Sequence, residues 1–398
     1  MNTPNLPHVA LLRSWLAALL LALTACGGVE TGGTGTGAYV QGPISGFGSI
    51  IVAGVRFDDL GAAIEDPDDV VRRREDLRLG MLVEVESGPI GDDGSGGRAA
   101  TAMRVRLASE LLGPVTLVDP TNARLTVLGQ PVRLTPATVV DGVAGGAASL
   151  QVGDVVEIFG FFAQADGYVA TRVERRGTAP ASYRVRGPVR DIDRIASTLR
   201  IGLQGFDLAT VGVPAGLVPD QFVRLRLLPS QQGDGRWPVT RITVETRSAG
   251  DRDEAEVEGL IGAFTGADQF SVNGVRVDAV GATIGDRAGL REGVRVKVRG
   301  RSQAGVLVAA TVDIRSDDDA FSEGVDLRDV VGNVDAAAQT FTLRGITVFY
   351  GTQPPPRFDN GTTATDLLRV PAPRVRVRGT LSADRTRVIA TRIEFVSN

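Results

Sequence analysis

Few side chains in this chain are suited to chemistry. Its one histidine, His8, and its one cysteine, Cys26, both lie within the first 26 residues. Everything after Cys26 therefore lacks the parts for Ser-His-Asp or Cys-His nucleophilic sites and for His-ligated metals. A single cysteine also rules out a disulfide within the chain. Carboxylates remain. Glu84 and Glu86 stand two apart, as do residues of one strand face, and Asp154 and Glu157 occupy the corresponding stretch further on. A converging pair of carboxylates could do acid/base work, but carboxylates spaced along one sheet face ordinarily keep it soluble. No catalytic residue is assigned, and the protein is expected not to be an enzyme.

Oxygen-rich loops raise the question of calcium. Asp66-Pro-Asp68-Asp69, Asp92-Asp93-Gly94 and Asp317 to Asp319 are the candidates. None follows the Asp-x-Asp-x-Asp-Gly pattern with a glutamate closing the loop, so solvated loops are expected and no metal site is assigned. No glycine pattern of the P-loop or dinucleotide type stands between a strand and a helix, and no cofactor is expected.

Arginine offers a different chemistry. Arg295, Lys297 and Arg299 alternate with apolar residues, as do Arg374, Arg376 and Arg378. Such ribbons are candidate anion-binding faces, because guanidinium forks pair with phosphate and carboxylate groups of envelope polymers. The competing account is edge protection, with outward charges keeping strands from pairing with strangers and cross-strand acids neutralising them. Lys297 is the only lysine, and in an alternating strand it is expected to face water. A nucleic-acid partner is not expected: aromatics are 5% of residues, and the formal charge is −4.

The elements that hold these residues are strands. In residues 257–312, Phe270-Ser-Val272 alternates and is followed by Asn273-Gly274 and Val275-Arg-Val277. Asn-Gly supplies the positive φ angles of a type I′ turn, so this is a hairpin. Leu290-Arg-Glu-Gly293 turns the chain into Val294-Arg-Val296-Lys-Val298-Arg-Gly300, whose valines should face a core. With Val257 to Ile261 before and Leu307 to Ile314 after, the stretch holds about five strands.

That unit repeats. Its opening glycine recurs as Gly42, Gly113, Gly187, Gly259 and Gly332, spaced 71 to 74 residues apart. The Leu-x-x-Gly turn recurs at Leu77 to Gly80 and Leu150 to Gly153. The third unit has Asp220 in place of the glycine, and the fifth has Leu368-Arg-Val-Pro371 with a one-residue shift. The last strand carries Thr101, Thr171, Thr240, Thr311 or Thr391. Several anchors in register at one period mark a repeat architecture.

The N-terminus reads as targeting sequence. Residues 10–23 are nearly all apolar and too few to span a bilayer as a helix. Leu23-Thr24-Ala25-Cys26-Gly27 follows and resembles a bacterial lipoprotein lipobox, which implies lipidation of Cys26. Gly27 rather than aspartate implies the outer membrane by the same resemblance. Residues 1–25 are assigned as signal peptide and 26–38 as lipidated cysteine and Gly/Thr tether, with a reach of about 20 Å. The repeats then occupy 39–110, 111–181, 182–253, 254–319 and 320–398. No linker between them is long. Units of about 70 residues are marginal alone, so neighbours are expected to touch.

The opening glycine, the Val-x-Gly hairpin, Leu-x-x-Gly-x-x-Val-x-Val-x-Gly and the closing Ala-Thr-x-Val/Ile resemble domain-of-unknown-function family 5666. The resemblance implies a β-barrel-like fold and a cell-envelope location, and no particular activity. The expectation is an all-β chain of five tandem small β-barrels of the oligonucleotide/oligosaccharide-binding (OB) type, about five strands each. Its function is expected to be that of a non-enzymatic envelope lipoprotein, a spacer, scaffold or interaction surface. The alternative is a module for anionic glycans, lipid headgroups or divalent cations. The membrane, through the lipid, is the expected partner, with an envelope protein or anionic polymer as a further one.

Overall fold

The computed structural model describes residues 37–67, 72–93, 97–107, 109–164, 167–245, 249–316, 325–359 and 361–396. The leader, Cys26, the tether before Gly37, Asp68, Asp69, Gly94 and Asp317 to Asp319 lie outside these residues. Among the described residues there is no α-helix, and the helical turns are short 3-10 segments such as Arg74–Asp76 and Ala364–Leu368.

The unit around residues 252–314 shows how one barrel closes. Arg252–Gly266 pairs with Gln269–Val272 (Ile261 opposite Val272), which pairs with Val275–Asp278 (Phe270 opposite Val277). Val275–Asp278 runs parallel to Val306–Ile314, with Val277 beside Leu307. Val306–Ile314 pairs with Arg295–Gln303, which returns to Arg252–Gly266 (Val257 opposite Val298). The circuit closes on itself through one parallel contact, between third and fifth strands, as in an OB barrel. The same circuit forms in the other four segments, with the parallel contact at Phe57 and Ala100, Leu134 and Ala170, Phe206 and Trp237, and Val348 and Val388.

The recurring glycines are explained by close approach. The hairpin turn folds back over the first strand, so a Cβ on Gly113 would collide with the Leu128 side chain and one on Gly259 with that of Asn273. A second glycine marks the bulge where the fourth strand bends against the fifth. The register shifts there in every unit, as between Arg299 and Gly300, and a Cβ on Gly300 or Gly379 would meet the carbonyl oxygen of Val308 or Ile389. In the Leu-x-x-Gly turn, Gly80, Gly153 and Gly293 have φ of +79°, +96° and +80°. Asp220 takes the same place at +67°, a conformation aspartate tolerates better than most residues. All four donate their N–H to the first strand, at Ile44, Val115, Val189 and Ile261.

Two expectations need correction. Gly332 does not sit where the other opening glycines sit. Val331 N–H bonds the Pro373 carbonyl as Ile261 N–H bonds that of Val294, which places Asp329 at the glycine position. Its carboxylate accepts from Nε of Arg344 at 2.9 Å, and Arg344 is the turn residue equivalent to Asn273. An ion pair thus fills the space that a glycine leaves empty elsewhere.

The second correction concerns layout. Units adjacent in sequence were expected to be the ones in contact, but the first unit joins the fourth and the fifth. The leading half of each first strand extends past its hairpin and keeps one edge open, and another unit covers it. Ala38–Gln41 runs parallel to Glu254–Val257. Gly46 lies beside Asp326, with Phe47 and Arg328 exchanging backbone bonds nearby. Leu111 and Leu112 pair with Val185 and Arg184. Cores merge accordingly. Val52 and Phe57 of the first unit share a cluster with Phe341 and Val377 of the fifth and with Phe159 and Phe161 of the second. Ile158 and Phe206 share another across the second and third units. Covered edges and shared cores stabilise barrels too small to be robust alone.

Candidate functional site

The side chains that could do chemistry meet on one recurrent surface, the outer face of the first and fourth strands of each unit. Alternation along those strands sends valines and leucines into the barrel and the charges outward. Where two units abut, those outward charges become interior.

The ribbon at Arg295, Lys297 and Arg299 shows this. Solvent-facing side chains were expected, yet Arg295 and Lys297 are only 6% and 7% exposed. The neighbouring units cover them. Arg295 bonds Glu258 at 2.6 Å, and its guanidinium lies 5.4 Å from the Phe161 ring of the second unit. Lys297 Nζ is 3.0 Å from Glu256 and donates to the carbonyl of Ala53, in the first unit's hairpin turn. Arg299 is half-exposed, 3.5 Å from Glu256, and Arg98 of the first unit reaches the same carboxylate at 2.6 Å. The acids stand on the adjacent first strand, Arg252–Gly266.

The second ribbon is less covered. Arg376 grips Asp326 through Nε and Nη2, and Arg374 lies 3.8 Å from Asp329. Arg378 is exposed and forms no ion pair with any described residue, and the same holds for Arg328 on the adjacent strand. The structure therefore does not gather the two ribbons into one groove.

The carboxylate candidates are held by arginines. Glu84 lies 3.5 Å from Arg106, and Glu86 lies 3.3 Å from Arg104 and 3.2 Å from Arg252. Asp154 pairs with Arg175 at 2.7 Å. Asp66 is bonded by Arg72 at 3.0 Å, and Asp93 accepts from Gly97 N–H at 2.9 Å.

Glu157 leads to the densest cluster, which lies between the second and third units. It takes Arg176 of its own unit and Arg184 of the next, the latter at 3.2 Å. Arg184 also donates to the Ser109 hydroxyl at 2.9 Å. Arg186 bonds Glu110 at 2.7 Å and shares Glu245 with Arg224. Arg186 is 2% exposed and Glu110 1%. Burial pushes the Glu157 carboxyl up, but the attraction of Arg184 and Arg176 outweighs it and holds the group below the usual carboxylate range. For Arg186 burial works against the charge, and Glu110 and Glu245 more than reverse it, so the guanidinium is held above its ordinary value. Tyr168, buried beside Glu110, is pushed up by burial and donates to the Arg186 carbonyl.

Sequence reading missed Arg184, Arg186 and Arg224. The available signal was two Arg-x-Arg strands in one unit, Tyr183-Arg-Val-Arg186 and Arg224-Leu-Arg226, set against glutamates at matching strands of the unit before. Among the described residues, no three His, Cys, Asp or Glu side chains are grouped to hold a metal ion.

These features define an all-β protein built from small five-stranded barrels joined through their charged outer faces. Residues 113–174, 258–313 and 330–394, in the second, fourth and fifth units, match the family described as a domain of unknown function (DUF5666). The chain carries that domain in tandem. No curated protein matches it.

Proposed function

We propose that the protein is a non-enzymatic lipoprotein of the bacterial cell envelope. Its tandem barrels form one compact body that serves as a spacer, scaffold or interaction surface. Lipid on Cys26 would attach it to the outer membrane, and the Gly/Thr stretch would hold the body off the bilayer. Two acyl chains bind firmly, at about 0.8 kcal/mol per buried methylene. The observation that carries the scaffold reading is the pairing of the charged strand faces: Arg295, Lys297, Arg184 and Arg186 meet Glu258, Glu256, Glu157 and Glu110. Charges spent in this way assemble barrels and leave little for a ligand.

A second reading, binding of an anionic polymer, is favoured only by Arg378 and Arg328. A thermal-shift panel separates the two, using calcium, an anionic polysaccharide, lipopolysaccharide fragments and single-stranded DNA at two salt concentrations. A ligand at a hundred times its Kd stabilises by about 2.7 kcal/mol. No shift is expected. A salt-sensitive polyanion shift that disappears when Arg374, Arg376 and Arg378 become Ser would replace scaffold with binding. Incorporation of a fatty-acid label, lost in Cys26→Ser, tests the anchor.

A further inference from the structure

A cavity of about 240 Å³ lies where the second, third and fourth units meet. Its apolar wall comes from all three: Phe161 and Phe162, Pro188 and Phe222, and Leu260. Its charged wall is Glu110, Arg186, Arg190 and Asp220, two cations against two anions. Arg190 and Asp220 pair with each other at 2.9 Å, and Glu110 is held by Arg186. Arg186 carries the argument. Its Nε and Nη1 are taken by Glu245 and Glu110, while its buried Nη2 has no acceptor among the described residues. A donor desolvated without a partner is destabilising, and protein interiors rarely leave one beside a void.

We infer that this three-barrel junction binds a small neutral molecule with a ring-sized apolar body and one hydrogen-bond acceptor, which takes the Arg186 N–H. Neutrality follows from the balanced wall charges, since an added ion would sit there uncompensated. The volume corresponds to roughly eight waters or a molecule built on a single ring. An aromatic body suits the wall, where Phe162 meets Phe222 edge to face at 5.4 Å and the Arg186 guanidinium covers the Phe222 ring at 4.6 Å. The site exists only when the three barrels are docked, so it belongs to the assembly and not to any single repeat. It is independent of the anchor and of the fifth unit's arginines.

The test uses the intact chain and two probes of nearly equal shape, acetophenone and ethylbenzene, of which only the first carries an acceptor. Binding is read from the backbone amide signals of Gly262, Ser271 and Gly160, which line the cavity. Acetophenone should shift them saturably, and ethylbenzene should bind at least about tenfold more weakly, the worth of one charge-assisted hydrogen bond. Ser271→Phe should fill the space and remove the response. Gln164→Trp, at an exposed position on the rim, does the same without touching the core. Absence of saturable shifts with either probe would mean that the cavity holds water alone. Equal affinity for the two probes, or binding that survives both substitutions, would also overturn the assignment.

Discussion

The third and fifth units carry nearly the same basic strands and put them to opposite use. In the third, Arg186 and Arg224 stand opposite each other across the first and fourth strands. In the fifth, Arg328 and Arg376 do so. The third unit's pair is buried against the second unit, which supplies Glu110 and the Ser109 carbonyl. In the fifth, Asp326 on the unit's own first strand satisfies Arg376, and Arg328 and Arg378 remain on the surface. An Arg-x-Arg strand is thus neither an edge guard nor a ligand site by itself. The position of the acids decides: on a neighbouring barrel they make an interface, and on the same barrel they make a neutralised face.

The largest test of this contrast is Arg186→Ala. It strands Glu110 in a dry junction and takes one of two arginines from Glu245. Removing one partner of a buried pair costs about 3–5 kcal/mol, and denaturant or thermal unfolding should show a loss of that order. A loss below about 1 kcal/mol would mean that the junction is solvated and the contrast with the fifth unit unreal.

Glu157→Gln probes the same junction by pH. The substitution leaves Arg184 and Arg176 without their anion and should cost about 1–3 kcal/mol near neutrality. The folded carboxyl is held below its unfolded value, so its contribution is complete above the unfolded pKa, about 4.3. It is lost as pH falls through the lower folded value. The stability gap between wild type and variant should therefore close on acidification. Unfolding curves at neutral pH and near pH 3 check this, and a gap that widened toward acid would contradict the assignment.

Gly379→Ala moves the comparison to the bulge. The fifth unit needs a glycine where a Cβ would strike the Ile389 carbonyl, whereas the third carries Leu227 at the corresponding register shift, fully buried in the shared core. Forcing an extra methyl into that contact should cost about 1–3 kcal/mol. A neutral outcome in thermal unfolding would show that the fifth unit's bulge can relax to the geometry of the third.

Much of this architecture was legible in the sequence, because it rests on local rules. Asn273-Gly274 turns with φ of +50° and +84°, as its hairpin demands, and Asp220 replaces glycine at a positive φ. Strict alternation in residues 294–300 placed Val296 and Val298 in a core, where both are fully buried. What alternation cannot reveal is what covers the outward face. It assigned Lys297 to water because period-two patterning separates inside from outside of one barrel only, and the first unit's Ala53 carbonyl closes over it from far away in sequence. The register slip at Asp329 was hidden for a related reason. Its role as a glycine substitute depends on Arg344, and no spacing rule links the two.

The smallest effect is expected at the surface end of the comparison. Arg378 is exposed and unpaired among the described residues, so Arg378→Ser should change stability by no more than about 0.5 kcal/mol. Arg328→Ser alone goes further as a control, because the Arg328 side chain rests against Gly48 of the first unit while its charge stays exposed. Lost packing rather than lost charge would set its cost, so Arg328→Met should restore what Arg328→Ser removes. If both Arg378→Ser and Arg328→Met destabilised the protein as severely as Arg186→Ala, the fifth unit's face would be an interface already engaged. The two faces would then differ only in which partner covers them.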